Sequence, residues 1–166
     1  VLSMDLAVIL WAQLNSFILL CLLSLIVLSA LGFYDDYLKV TKQDGEGVKS
    51  KVKLWVQLGL GGIVAGYLWL VPATRPLVED IMVPFFKAPV LEGAALIGFG
   101  LTLTAIMGSS NAVNLTDGLD GLAIGCTIIV TSVFVALTYI AGNIKWATYL
   151  QVPFVPGASE LTVFCA

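Results

Sequence analysis

Four stretches of this chain are apolar for nearly the length of a bilayer crossing: residues 17–34, 54–71, 92–110 and 122–142. About 20 such residues in a helix span the hydrocarbon. Of the 166 residues, 59% are hydrophobic and only 11% charged, and the mean hydropathy is +1.00. Soluble domains carry about 25% charged residues. The expected fold is therefore all-α, a polytopic transmembrane helix bundle of about four nearly whole spans. Residues 1–12 and the closing "LTVFCA" read as partial spans at the two ends. Residues 1–166 are expected to form a single integral membrane domain, the central fragment of a longer chain. "QLNS" at 13–16 reads as a break, because one helix through 34 apolar residues would overshoot the bilayer.

Lysine placement predicts sidedness. Residues 35–53 hold Lys39, Lys42, Lys49, Lys51 and Lys53; residues 72–91 hold Arg75 and Lys87; residues 143–160 hold Lys145. Cytoplasmic loops carry the Lys/Arg excess, so 35–53 is expected inside. Span parity then returns residues 110–121 to that face. The net charge of −3, with no basic stripe, argues against a nucleic-acid partner. There is no histidine to carry imidazole chemistry. Cys21, Cys126 and Cys165 sit in apolar runs without metal-ligand spacing and read as buried thiols at lipid depth. Gly62 and Gly66, near Gly59 and Gly61, have the small-xxx-small spacing of packed membrane helices, and lack the Lys-Ser/Thr ending of a phosphate loop.

Two places put polar chemistry against these spans. Asp35 and Asp36 follow an apolar run directly; acids at membrane depth are expensive and are functional candidates, though at a helix end they also suit a simple water boundary. Adjacent helical side chains diverge by about 100°, so separate roles are expected. Asn111, Asn114, Asp117 and Asp120 recur every three residues, with Gly118 and Gly121 leaving space beside them. One such residue would cap a helix; four in a row suit recognition of hydroxyls and base edges, or a hard cation such as Mg²⁺. The lysines add charge for phosphate, and for anionic lipid.

"GFYDDYLKV" at 32–40, "NAVNLTDGLDGLA" at 111–123 and "VPFFK" at 83–87 resemble the polyprenyl-phosphate N-acetylhexosamine-1-phosphate transferases, over almost the whole chain. Within that family they look most like the branch acting on N-acetylmuramoyl-pentapeptide. The resemblance implies a bacterial cytoplasmic membrane enzyme with its active-site loops in the cytoplasm. Its donor would be UDP-N-acetylmuramoyl-pentapeptide, its acceptor undecaprenyl phosphate, its product lipid I with release of UMP, and its cofactor Mg²⁺. It also keeps a homodimer open.

Residue by residue, the resemblance makes Asp35 the base toward the lipid phosphate. It makes Asp36 its partner near the metal, and the two acids this chain's share of the metal ligands. Lys39 and Lys51 correspond to basic residues around the phosphates, with Lys53 the alternative in register. Asn114 and Asp117, in one row with Asn111, correspond to the nucleotide-side polar residues. Gly118, Leu119 and Asp120 correspond to the uracil pocket, where the Asp120 carboxylate would accept the uracil N–H. The family's later Gly-Asp metal ligand and His-rich loop are absent, so the isolated chain is expected to be inactive. A sister enzyme using UDP-N-acetylglucosamine is the nearest alternative. A transporter with intramembrane acids is a distant one, since the acids cluster at span ends and no repeat is visible.

Overall fold

The computed structural model describes residues 2–42, 47–83, 86, 88–118 and 121–166. The helices are α1 (Leu2–Trp11), α2 (Ser16–Lys42), α3 (Ser50–Leu70), α4 (Pro76–Glu79), α5 (Ala95–Thr116), α6 (Leu122–Gly142), α7 (Ile144–Leu150) and α8 (Glu160–Cys165). Four of them, α2, α3, α5 and α6, are long and apolar enough to cross a membrane. Apart from helices, the described residues hold one antiparallel bridge, Ile81 to Leu91. Of "VPFFK", only Val83 and Phe86 are among the described residues.

The helices run further than the apolar stretches. α2 continues through the acids to Lys42, and α3 takes in Lys51 and Lys53. No Gly or Pro interrupts residues 33–42, and Lys39 pairs with Asp35 at i,i+4 and with Asp36 at i,i+3. Such pairs support a helix where apolar periodicity has ended. α5 carries Asn111 and Asn114, but it ends at Thr116, and Asp117 and Gly118 lie in a turn. Of the expected row of four, Asn111 and Asn114 stand on the helix, Asp117 lies beyond its end, and Asp120 is outside the described residues. Gly121 then enters α6 with φ +80°, a conformation that glycine adopts without strain. The loop expected at 143–160 instead holds α7 and the start of α8. Asn143 caps α7 by accepting the Lys145 N–H at 3.0 Å.

Residues 1–26 and 115–166 form one compact unit and residues 27–114 a second. In the first, Val8, Ala12, Ile18 and Leu22 make a small core with Leu161 and Phe164 against it. The break between α1 and α2 is real. Asn15 Oδ1 accepts the Ile18 N–H at 3.0 Å and so caps α2, while its Nδ2 donates to Gly157 O at 2.8 Å. The neighbouring Gln13 N–H donates to Glu160 Oε2 at 2.9 Å. α6 packs on α8 so closely that a Cβ at Gly142 would strike the Ser159 backbone. The three cysteines are free; Cys126 is exposed rather than buried, and the other two are half-buried.

In the second unit, the buried face of α3 is Gln57, Leu60, Gly61 and Ala65. A Cβ on Gly61 would lie 2.8 Å from Leu103 Cδ2 and 3.5 Å from its Cα, so α3 and α5 approach closely there. Gly62 and Gly66 have no atom within 4 Å of an added Cβ. The small-residue contact expected of Gly62 and Gly66 is thus made one position earlier, by Gly61, with Ala65 buried on the same face. Both stripes have the same spacing, and the side of α3 that carries Gln57 is the one that meets α5. On α5, a Cβ at Gly98 would run into the Val78 carbonyl of α4. Backbone cannot yield as a flexible side chain does, and overpacking costs about 1–3 kcal/mol. Gly98→Ala is therefore expected to lower the thermal midpoint of the detergent-solubilised complete protein well below that of Gly62→Ala. Equal midpoints for the two variants would contradict the α4–α5 approach.

Candidate active site

The polar end of the second unit is built around Asp35, which is 3% exposed although it is ionisable. Its Oδ2 lies 2.8 Å from Lys39 Nζ and 2.8 Å from Lys53 Nζ. Its Oδ1 accepts the Val48 N–H at 2.7 Å. A buried carboxylate persists only when paired and hydrogen-bonded, and both of its oxygens are satisfied here. α2 supplies the acid and one lysine, α3 the other lysine, and the segment just ahead of α3 the amide. Lys49 at the N-cap of α3 makes no side-chain cap. The carboxylate from α2 brings negative charge to that end, where the helix dipole favours it.

Gly47 is dictated by the same packing. A Cβ there would collide with Asp35 Oδ1, so only glycine lets the chain pass over the carboxylate and present the Val48 N–H. Asp36 points elsewhere, as adjacent helical positions must. Its side chain is 77% exposed and touches Lys39 Nζ at 3.2 Å. Lys39 therefore bridges both acids. Lys51 is exposed on the first turn of α3.

One turn beyond Lys53, the buried Gln57 meets α5. Its Nε2 donates to Ser110 Oγ at 3.1 Å and approaches Asn111 Oδ1 at 3.5 Å, and its Oε1 accepts from Asn111 Nδ2 at 2.9 Å. Asn111 Nδ2 also donates to Met107 O at 2.8 Å. Lys53 and Gln57, four residues apart on one helix face, thus join the acid cluster and the Asn segment through α3. Asn114 is exposed on the next turn of α5. Asp117 and Gly118 are exposed beyond that helix, in the first unit. Leu119 and Asp120 lie outside the described residues. Of the expected site residues, the structure brings together Asp35, Asp36, Lys39 and Lys53, and ties Asn111 to the same helix. Gln57 and Gly47 belong to no motif; the visible sign of Gln57 was a lone amide in the apolar run "KLWVQLGLG".

As a Mg²⁺ site the arrangement is incomplete. A hard cation asks for several oxygen ligands. Asp35 has given its oxygens to two ammonium groups and an amide, which leaves Asp36 as the open acid. No cluster of three or more Asp, Glu, His or Cys suited to a metal occurs among the described residues.

Residues 18–158 match the family model described as glycosyl transferase family 4. The chain belongs to that family. Among curated proteins it is similar to the phospho-N-acetylmuramoyl-pentapeptide-transferase of Methylacidiphilum infernorum (isolate V4), at 39% identity over 166 residues. The match covers 99% of this chain and 45% of the relative, so the chain spans less than half of that protein's length. The family match takes in α3, α5, α6 and all but the first two residues of α2, together with the acid cluster and the Gln57–Asn111 pair. A multi-pass membrane helix bundle of this family thus carries its charged cluster at the polar end of α2 and the start of α3.

The Asp35–Lys53 pair is expected to behave as a coupled unit. Lys53→Met leaves a buried carboxylate one ammonium short and should cost about 1–3 kcal/mol, less than a fully dry pair because the Lys53 side chain is 24% exposed. Combining it with Asp35→Asn should recover part of that loss. Thermal unfolding of the two single variants and the double variant gives the coupling, and strict additivity would mean that the pair carries no stability.

Proposed function

We propose that the complete polypeptide transfers phospho-N-acetylmuramoyl-pentapeptide from its UDP donor to undecaprenyl phosphate and releases UMP. In this reaction a lipid-phosphate oxygen attacks the sugar-bearing phosphorus. The bond from that phosphorus to the bridging oxygen breaks, and UMP leaves with the electron pair. The observation that carries the reading is Asp35, held between Lys39 and Lys53 at the polar end of an apolar helix, where an amphiphilic phosphate would lie. Similarity to the Methylacidiphilum enzyme supports the choice of donor. The sister reading, with UDP-N-acetylglucosamine, is separated by donor competition.

The lysines suit two successive duties. An ammonium has three donors; contacts among the described residues occupy two on Lys39 and one on Lys53. An arriving phosphate can therefore share them with Asp35, and taking them over would release the carboxylate to act as base. Lys51 adds charge at the same helix start. Asn111, Asn114, Asp117, Gly118, Leu119 and Asp120 are assigned to the nucleotide side. Mg²⁺, when bound in the complete protein, would offset the charge of the transferred phosphate; Asp36 is the acid here with oxygens to offer it. The reading also places 35–53 and 110–121 on the cytoplasmic side of a bacterial inner membrane.

Asp35→Asn in the complete polypeptide is expected to lower turnover by about 10²–10⁴-fold, the usual worth of a general base, while donor binding persists by calorimetry. Near wild-type turnover at neutral pH would remove Asp35 from that role. The topology is checked in a cysteine-less background with single cysteines at Gln43 and Lys145. Membrane-impermeant maleimide should reach them from opposite sides, and labelling from one side would overturn the orientation.

A further inference from the structure

Gln57 is a buried amide inside an apolar helix, 3% exposed, and no motif claims it. Its partner Asn111 is exposed on α5. The bonds that Asn111 makes to Met107 and to Gln57 together fix which way its amide faces. Met107 O is a backbone carbonyl that can only accept, so the group beside it at 2.8 Å must be the Asn111 NH₂. The second hydrogen of that NH₂ goes to Gln57 Oε1 at 2.9 Å. Both donors of Asn111 are then spent. Among the described residues its Oδ1 receives only the long 3.5 Å approach of Gln57 Nε2, whose shorter bond, 3.1 Å, goes to Ser110 Oγ. Asn111 consequently presents an oxygen with acceptor capacity and no N–H to spare.

We propose that Gln57 is a positioning residue for donor recognition. It holds the Asn111 amide so that Oδ1 faces the donor as an acceptor for a hydroxyl or N–H of the nucleotide sugar. The inference rests on the transferase reading above. Gln57 touches no substrate in it and acts through Asn111. Because Lys53 lies one turn away on the same face of α3, Gln57 also keeps the Asn111 oxygen in step with the phosphate-side lysine.

The test is steady-state kinetics on the complete enzyme with UDP-N-acetylmuramoyl-pentapeptide and undecaprenyl phosphate, together with thermal midpoints. Gln57→Met removes the amide at similar length and leaves the Asn111 amide held by Met107 O alone. It should raise the donor KM about tenfold and leave the lipid KM within about twofold, since a polar site discriminates through the pairing of its groups. The paired exchange Gln57→Asn with Asn111→Gln keeps two amides and their summed length, and should restore the donor KM to within about threefold of wild type. A role in helix packing alone would lower the midpoint and the active fraction and leave both KM values unchanged; that result, at any midpoint, overturns the proposal. Should Gln57→Met not fold, the paired exchange decides: a wild-type donor KM supports the role, and a donor KM raised as far as in Asn111→Ala overturns it. A wild-type enzyme that transfers nothing from this donor overturns the transferase reading, and the positioning role with it. A wild-type enzyme that transfers while Gln57→Met keeps its donor KM overturns the positioning role alone.

Discussion

Three hydrogen-bond donors converge on the carboxylate of Asp35: two ammonium groups and one backbone amide. The polar end of residues 27–114 follows from their satisfaction. An acid this buried is tolerated only when its charge is matched, and the match comes from three places in the chain. Lys39 comes from the same helix, Lys53 from the next, and the Val48 amide from the segment between. The contact with Lys53 sets how α2 and α3 meet, and the amide contact forces glycine at 47. Changing any one donor would leave charge unmatched in a place where water has little access.

α3 turns this local match into a longer device. Along one stripe, four residues apart, stand Lys53, Gln57, Gly61 and Ala65. They meet in turn an acid, an amide and, at Gly61, the α5 backbone near Leu103. Polar contacts serve where the helix nears water. Deeper in the apolar run, where an unpaired polar group is costly, close packing of small residues replaces them. The amide pair is neutral and reciprocal, so it crosses between helices without burying net charge.

The four spans, the break at 13–16 and the clustering of acids with lysines were legible in sequence, because bilayer thickness and charge leave plain marks. The extension of α2 to Lys42 was not, since the apolar run stops at residue 34, and it is the ion pairs of Lys39 and the Phe33–Tyr37 stack that support the helix beyond it. The stripe on α3 was read one residue off, at Gly62 and Gly66. Spacing alone does not say which of two glycine pairs faces a partner; Gln57 decides it. The row ending at Asp120 looked regular by spacing, yet the helix stops at Thr116, with two glycines close behind. Gln57 itself could be seen only as an oddity until Asn111 stood opposite it. Neighbours distant in sequence carry the information that local pattern lacks.

The side chain of Asn15 holds two parts of the chain 142 residues apart, through its bond to Gly157 O. Residues 27–114 are contiguous, whereas the unit containing Asn15 is assembled from residues 1–26 and 115–166. A ribosome delivers the chain from its N-terminus, so the contiguous unit has all its members long before the interrupted one does. Until residues 157 and 160 emerge, the Asn15 Nδ2 and the Gln13 amide must find other partners in lipid or water. Within residues 1–166, α1 and the start of α2 are thus made well before the residues around α8 that hold them.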